Sequence, residues 1–94
     1  MPGLNPRSIE LLKSVASLHG IVRLQVFGSV ARGEDGPESD LDLLVSVEPG
    51  RSLLDVIGFC QEAEEALGRK IDVVTEGGLS PYLKQRVLAE AVSL

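Results

Sequence analysis

The chain of 94 residues is short, acidic and rich in apolar side chains. It has 9 Lys and Arg against 14 Asp and Glu, a net charge of -5 at pH 7, and 44% hydrophobic residues. The cations are too few to form a basic face, and the aromatic side chains are too few to form a base-stacking platform. Nucleic acid is therefore a poor candidate partner. With one cysteine and one histidine, an internal disulfide and a Cys/His zinc cage are both excluded.

The length limits the domain organisation. A chain of this size buries roughly 60 to 65% of the surface of its unfolded state, which suffices for one core with little margin. We therefore predict a single domain over residues 1–94. The N-terminal residues have no basic segment followed by an apolar one, and no uncharged run approaches about 18 residues. These features predict a cytoplasmic protein that does not contact a membrane.

A helix and a strand open the predicted fold. Asn5-Pro6 supplies a favoured N-cap residue and a proline at the first helical position, ahead of apolar residues at 3–4 spacing, and this pattern predicts a helix over about 6–19. Residues 21–27 alternate in the manner of a strand. The alternation assigns three of their side chains to one face of the sheet: Val22, Leu24 and Val26.

Gly28 ends this strand, and a short turn of helix is predicted to follow as far as Arg32. Residues 33–39 have turn composition and no periodicity, so we predict a mobile loop there. Alternation resumes over 40–48 and predicts a second strand. One of its faces is apolar, and the other carries Asp40 and Asp42.

The second half of the chain predicts a helix, a strand and a last helix. Ser52 and Asp55 have the spacing of a capping box ahead of an apolar helical stripe. Residues 70–75 predict a third strand, and Ser80-Pro81 repeats the cap-and-proline signature. This order predicts an α/β or α+β fold with helices over one face of a small sheet and carboxylates on the other.

Three aspartates fall on the polar face of the predicted sheet. Asp40 and Asp42 are two residues apart on one strand, so both side chains leave the same face about 7 Å apart. Asp72 projects from the third strand and joins them if the two strands are neighbours. Carboxylates within about 4 Å repel by roughly 4 kcal/mol per pair at an effective dielectric of 20. Such a cluster favours a divalent cation, and ligation by oxygen alone indicates Mg²⁺ or Mn²⁺.

An anion site is predicted where the first strand ends. Gly28 allows a ligand to approach the backbone closely, Ser29 adds a hydroxyl, and the N–H groups of a helical turn can face the anion. A triphosphate fits there, and Arg32 lies one turn further on, where it can help to neutralise the phosphates. Carboxylates, metal ions and a phosphate cradle together are what nucleotidyl transfer requires.

These residues can also be explained by structural roles that involve neither catalysis nor ligand binding. The three aspartates could be the solvated face of a strand, Ser29 a plain helix cap, and Arg32 a surface cation paired with the acidic loop. A Gly-Ser pair or an Asp-x-Asp motif alone is too common to indicate a function. The spacing between them and the third aspartate are what favour the chemical interpretation.

The combined pattern resembles a known enzyme family. Three segments resemble motifs of the minimal nucleotidyltransferase (MNT) family, in the polymerase-β-like superfamily: residues 28–33 (GSVARG), 40–45 (DLDLLV) and 71–74 (IDVV). The spacing of ten residues between Ser29 and Asp40 is also similar. The resemblance extends over about residues 6–92. It implies the polymerase-β-like fold, with a mixed sheet of three to four strands.

The resemblance also implies an activity, which is a Mg²⁺-dependent transfer of AMP from ATP. In this family Gly28 and Ser29 would hold the phosphates, and the three aspartates would hold the ions, two Mg²⁺ or alternatively Mn²⁺. Asp72 would also orient or deprotonate the acceptor. Many members are antitoxins of a HEPN-domain ribonuclease toxin, and some silence it by AMPylating a tyrosine.

The shortness of the chain bears on the acceptor. Larger relatives carry a further domain that selects it, so we expect a partner protein to bring the acceptor hydroxyl, in a homo- or hetero-oligomer. Two alternatives stand beside this one. The first is a non-catalytic antitoxin that neutralises its partner by stoichiometric contact, and the second is a Ca²⁺ site built from Asp40, Asp42 and the acidic loop.

Overall fold

The computed structural model describes residues 4–33 and 40–94, so the predicted loop over 33–39 lies, apart from Gly33, outside the described residues. No helix within these ranges is long and apolar enough to cross a membrane. The helices are α1 (Pro6–Leu18), α2 (Gly28–Arg32), α3 (Leu53–Leu67) and α4 (Pro81–Glu90), and the strands are β1 (Ile21–Phe27), β2 (Leu41–Val47), β3 (Ile71–Thr75) and β4 (Val92–Ser93). A 3₁₀ turn, Glu76–Gly78, follows β3.

Local capping sets the helix boundaries as predicted. At the start of α1, Asn5 Oδ1 accepts the Ser8 N–H at 2.8 Å. At the start of α3, Ser52 Oγ accepts the Leu54 N–H at 3.2 Å and the Asp55 carboxylate accepts the Ser52 N–H at 2.8 Å, which completes a capping box. These bonds satisfy N–H groups that a helix leaves without partners in its first turn.

The strands form one mixed sheet in the order β3-β2-β1-β4. β1 runs antiparallel to both β2 and β4, whereas β2 and β3 are parallel and are joined by the crossover helix α3. The parallel pair aligns Asp42 with Asp72. β4 was not located in the sequence, because two residues are too short to show periodicity.

The start of β1 departs from the predicted alternation. Ile21 pairs with Val47 and Arg23 pairs with Ser46, so β1 has one extra residue opposite β2. This β-bulge leaves Ile21 buried and Val22 65% exposed. The prediction that Val22 shares one face of the strand with Leu24 and Val26 is therefore wrong.

The core lies between one face of the sheet and the helices α1 and α3. Phe59 of α3 is fully buried there, and Val30 of α2 closes the core at the end of β1. The opposite face is also partly covered, because the register partners Gln25 and Leu44 are buried on it. The apolar residues of the strands in the core are Ile21, Val26, Leu41, Leu43, Val45 and Ile71.

The cap of α3 generates a stability prediction. Ser52→Ala removes the oxygen that accepts the Leu54 N–H, so we expect the free energy of unfolding to fall by about 1 kcal/mol. Urea unfolding followed by circular dichroism measures the change. Ser14→Ala, at an exposed position inside α1, is the matched control and should cause no loss, because alanine favours a helix interior. Equal losses in the two variants would contradict the capping role.

Candidate active site

Three strands bring their functional residues to the same end of the sheet. Phe27, the last residue of β1, pairs with Asp42, and Asp42 pairs in turn with Asp72. Neighbouring strands are about 4.8 Å apart, so the two aspartates leave the sheet side by side on one face. The condition that the strands of Asp42 and Asp72 must be neighbours is therefore met.

The backbone at Gly28 lies directly against Asp42. Gly28 has φ 75°, in the left-handed region that favours glycine. A Cβ atom built on Gly28 would overlap Oδ2 of Asp42. Glycine is therefore required at this position both for the backbone conformation and for the close approach of the carboxylate. The predicted phosphate cradle and the predicted metal ligands meet at this contact.

The first turn of α2 has no side-chain cap. Phe27 takes the N-cap position, and Ser29 lies inside the turn, which corrects the interpretation of Ser29 as a helix cap. The Gly28 N–H instead donates to Oε1 of Glu90 at 2.7 Å, across 62 residues of sequence. Arg32 Nη1 donates to the same oxygen at 2.9 Å. Arg32 thus lies beside Gly28, and the two residues contact the same carboxylate oxygen.

Asp40 directly precedes β2 and contacts a cation. Its Oδ2 is 3.7 Å from Nζ of Lys70, and the two side chains are 41% and 69% exposed. An ion pair this exposed contributes about 0 to 1 kcal/mol, so it separates easily. Within residues 4–33 and 40–94, no three acidic, histidine or cysteine side chains stand close enough to hold a metal ion as they are arranged. Asp42 and Asp72 are adjacent, whereas Asp40 is paired with Lys70.

The electrostatics of Asp42 reflect its crowded position. Burial raises the pKa of Asp42 above its ordinary value, and the charges of Asp72 and Asp40 raise it further. Glu90 acts in the same direction, whereas the Arg32 guanidinium opposes them. Negative charge is therefore concentrated around a half-buried carboxylate. Oxygen donors with such an excess of charge suit Mg²⁺ or Mn²⁺.

Glu90 is the residue of this region that sequence reasoning missed. It belongs to no motif, and its contacts with Gly28 and Arg32 span 62 and 58 residues. One weak signal was available, because an acidic residue at the C-terminal end of a predicted helix opposes the helix dipole and suggests a partner elsewhere. That signal does not identify the partner.

Comparisons with known proteins agree with this geometry. Residues 8–94 match the family model described as a nucleotidyltransferase domain. A candidate protein adenylyltransferase of Methanocaldococcus jannaschii is 46% identical over 76 residues, which cover 81% of this chain and 82% of the relative. The protein adenylyltransferase MntA of Thermococcus cleftensis is 33% identical over 93 residues, covering 90% and 94% of the two chains.

Solved structures give the same result. A structure of a candidate minimal nucleotidyltransferase matches with a TM-score of 0.84 at 50% identity, over 94% of this chain and 89% of the other. Two more distant structures share the fold. A toxin-antitoxin complex with AMP-PNP matches at TM-score 0.78 and 22% identity, over 96% and 72% of the chains. A tri-AMPylated Shewanella oneidensis HEPN toxin in complex with its MNT antitoxin matches at 0.63 and 21%, over 93% and 65%.

A mixed sheet that aligns aspartates of two strands beside a Gly-Ser turn defines a nucleotidyltransferase of the polymerase-β-like fold. The chain belongs to the nucleotidyltransferase domain family and, within it, to the minimal nucleotidyltransferases. The family and the fold predicted from the sequence motifs are thereby confirmed.

The crowding around Asp42 generates a prediction about stability and pH. Because folding raises the pKa of Asp42, ionisation of this carboxyl group destabilises the folded state at pH values above the raised pKa. This penalty is lost as the pH falls through the raised pKa towards the ordinary value of 3.8. Asp42→Asn is therefore expected to raise the melting temperature at pH 7, with a difference that shrinks on acidification.

A control of opposite sign is available in the same protein. Hydrogen bonding to the Ser52 N–H lowers the pKa of Asp55, so the charge of that residue stabilises the folded state. Asp55→Asn should lower the melting temperature at pH 7. Thermal unfolding across the pH range measures both variants. A lower melting temperature for Asp42→Asn at pH 7 would contradict the electrostatic account.

Proposed function

We propose that this nucleotidyltransferase transfers AMP from ATP to a tyrosine hydroxyl of a HEPN-domain toxin and so acts as its antitoxin. The observation that carries the proposal is the meeting of the Gly28 backbone, Asp42 and Asp72 at one end of the sheet. Two relatives are named as protein adenylyltransferases, one of them as a candidate. A structural neighbour is an MNT antitoxin bound to an AMPylated HEPN toxin, which supports the acceptor.

In this proposal the phosphates of ATP bind at Gly28, Ser29 and Arg32. The Gly28 N–H and the Arg32 guanidinium already share one anionic oxygen, that of Glu90. Carboxylate and phosphate oxygens are recognised by the same donors, so this pair of donors is suited to a phosphate. Ser29 lies in the first turn of α2, where its hydroxyl adds a further donor.

Asp40, Asp42 and Asp72 are the residues that would hold Mg²⁺, or alternatively Mn²⁺. When bound, such ions neutralise charge on the phosphate oxygens and on the leaving group. The donor set fits them, because Asp42 and Asp72 are adjacent and the ion pair of Asp40 with Lys70 is exposed and therefore weak. Burial raises the pKa of Asp42, and the charges of Asp72 and Asp40 raise it further; a cation would offset those charges.

The transfer itself is a single displacement at phosphorus. The tyrosine oxygen attacks the α-phosphorus of ATP and forms a new P–O bond. The bond between the α-phosphorus and the oxygen bridging to the β-phosphate breaks, and pyrophosphate leaves. The hydroxyl proton passes to the carboxylate of Asp72, which is exposed and can therefore be reached by an acceptor on another protein.

The test is the transfer of label from ATP carrying a labelled α-phosphate to a purified HEPN-domain toxin, in the presence of Mg²⁺. Asp42→Asn should reduce the transfer by about 100-fold or more, because it removes a charge placed at the reacting phosphates. Chelation of the metal should abolish the transfer. Glu65→Gln, at an exposed position of α3, is the matched control and should retain full activity. Label transfer that survives in Asp42→Asn would contradict the mechanism.

Two further measurements, toxin neutralisation in cells and Ca²⁺ binding, separate the alternative functions from this one. A non-catalytic antitoxin would neutralise the toxin in cells even as Asp40→Ala, since stoichiometric contact does not need the carboxylate. In our proposal that variant loses neutralisation together with label transfer. Tight binding of Ca²⁺ that ATP does not affect would favour the calcium site instead.

A further inference from the structure

Glu90 accepts hydrogen bonds from Gly28 and Arg32, two residues of the proposed phosphate cradle. Its Oε1 accepts the Gly28 N–H at 2.7 Å and Arg32 Nη1 at 2.9 Å. One of these donors is a backbone amide at the start of α2, and the other is a charged side chain at its end. The contact therefore joins the last residue of α4 to the turn that the sequence motif assigns to phosphate.

The geometry of this contact is that of a bound anion. Charge-assisted hydrogen bonds of this length are stronger than those between neutral groups. A phosphate oxygen that used the Gly28 N–H and the Arg32 guanidinium would occupy the position of Oε1. Glu90 and a triphosphate therefore exclude one another at these two donors.

Two sources of negative charge oppose the present position of the Glu90 carboxylate. Glu90 is the last residue of α4, where the partial negative charge of the helix end disfavours an acid. The Asp42 carboxylate is close enough for the two charges to repel one another. The donors of Gly28 and Arg32 offset these effects, so an anion that binds both donors more strongly can displace the carboxylate.

A second position for the Glu90 carboxylate is available nearby. A cavity of about 320 Å³ lies between α2 and α4, and Arg86 lines it together with Arg32 and Glu90. Arg86 is four residues before Glu90 on the same helix, a spacing at which opposite charges pair. The Glu90 side chain, 34% exposed, has a cation within reach once it leaves Arg32.

We propose that Glu90 is a carboxylate that the substrate displaces, and that it sets the affinity of the site for ATP. It holds the Gly28 N–H and Arg32 in the free protein, and it moves to Arg86 when the triphosphate binds. This inference rests on the proposed function, because that function assigns the phosphates of ATP to Gly28 and Arg32. Glu90 itself is a positioning residue, since it does not touch the reacting atoms.

The test compares the binding of AMP-PNP in the presence of Mg²⁺ to the unmodified protein and to Glu90→Gln, by isothermal titration calorimetry. The glutamine keeps the shape of the side chain and removes its charge, so it competes less well for the donors. We expect binding to tighten about tenfold. Glu65→Gln, which removes an exposed acid from α3, should leave the affinity unchanged and so controls for net charge.

A double-mutant cycle tests the role of Arg86. In the unmodified background Arg86→Gln should weaken binding of AMP-PNP, because the displaced carboxylate loses its new partner. In the Glu90→Gln background the same substitution should have a smaller effect. If Glu90→Gln fails to fold, Glu90→Asp replaces it: the shorter side chain cannot hold both donors and should also tighten binding.

The outcomes separate this inference from the function on which it rests. Tighter binding by Glu90→Gln, with unchanged binding by Glu65→Gln, supports the inference. If the unmodified protein binds AMP-PNP and Glu90→Gln binds it equally well or more weakly, the inference about Glu90 is overturned. The proposed function then still stands. Absence of AMP-PNP binding in both proteins overturns the proposed function and this inference with it.

Discussion

The parallel pairing of β2 with β3 is the constraint on which the site depends. It aligns Asp42 with Asp72 and so forces two like charges together. The apolar face of the same strands holds the register, because Leu41, Leu43 and Ile71 are buried beneath α1 and α3. A shift of one residue would turn these side chains to the opposite face. Burial of apolar surface on one side of the sheet thereby maintains charge repulsion on the other.

The polar side of the sheet carries the charged residues that our proposal assigns to the nucleotide and its cations. Burial and neighbouring acids raise the pKa of Asp42. Asp40 forms an ion pair with the exposed Lys70, and the Gly28 N–H donates a hydrogen bond to Glu90. In our proposal, binding of the nucleotide and its cations replaces the contacts with Lys70 and Glu90. Sites arranged for transition-state charge commonly reduce the stability of the empty protein in this way.

Local signals in the sequence predicted most of the elements, and non-local contacts explain what they missed. The capping residues Asn5 and Ser52 fix helix starts by bonds within three residues, so sequence alone located them. The Val22 bulge depends on the partner strand, and the contact of Glu90 with Gly28 spans 62 residues. The Gly-Ser motif marked Gly28, but only the structure shows that the Asp42 carboxylate leaves no room for a Cβ atom there.

The central claim is that the aligned carboxylates form a site for a divalent cation that binds together with the nucleotide. Mn²⁺ binding in the presence of AMP-PNP, followed by electron paramagnetic resonance, tests it most directly. The account predicts that Asp42→Asn and Asp72→Asn each weaken Mn²⁺ binding by at least about 10-fold, whereas Glu65→Gln leaves it unchanged. Equal Mn²⁺ affinity in all of these proteins would contradict the account.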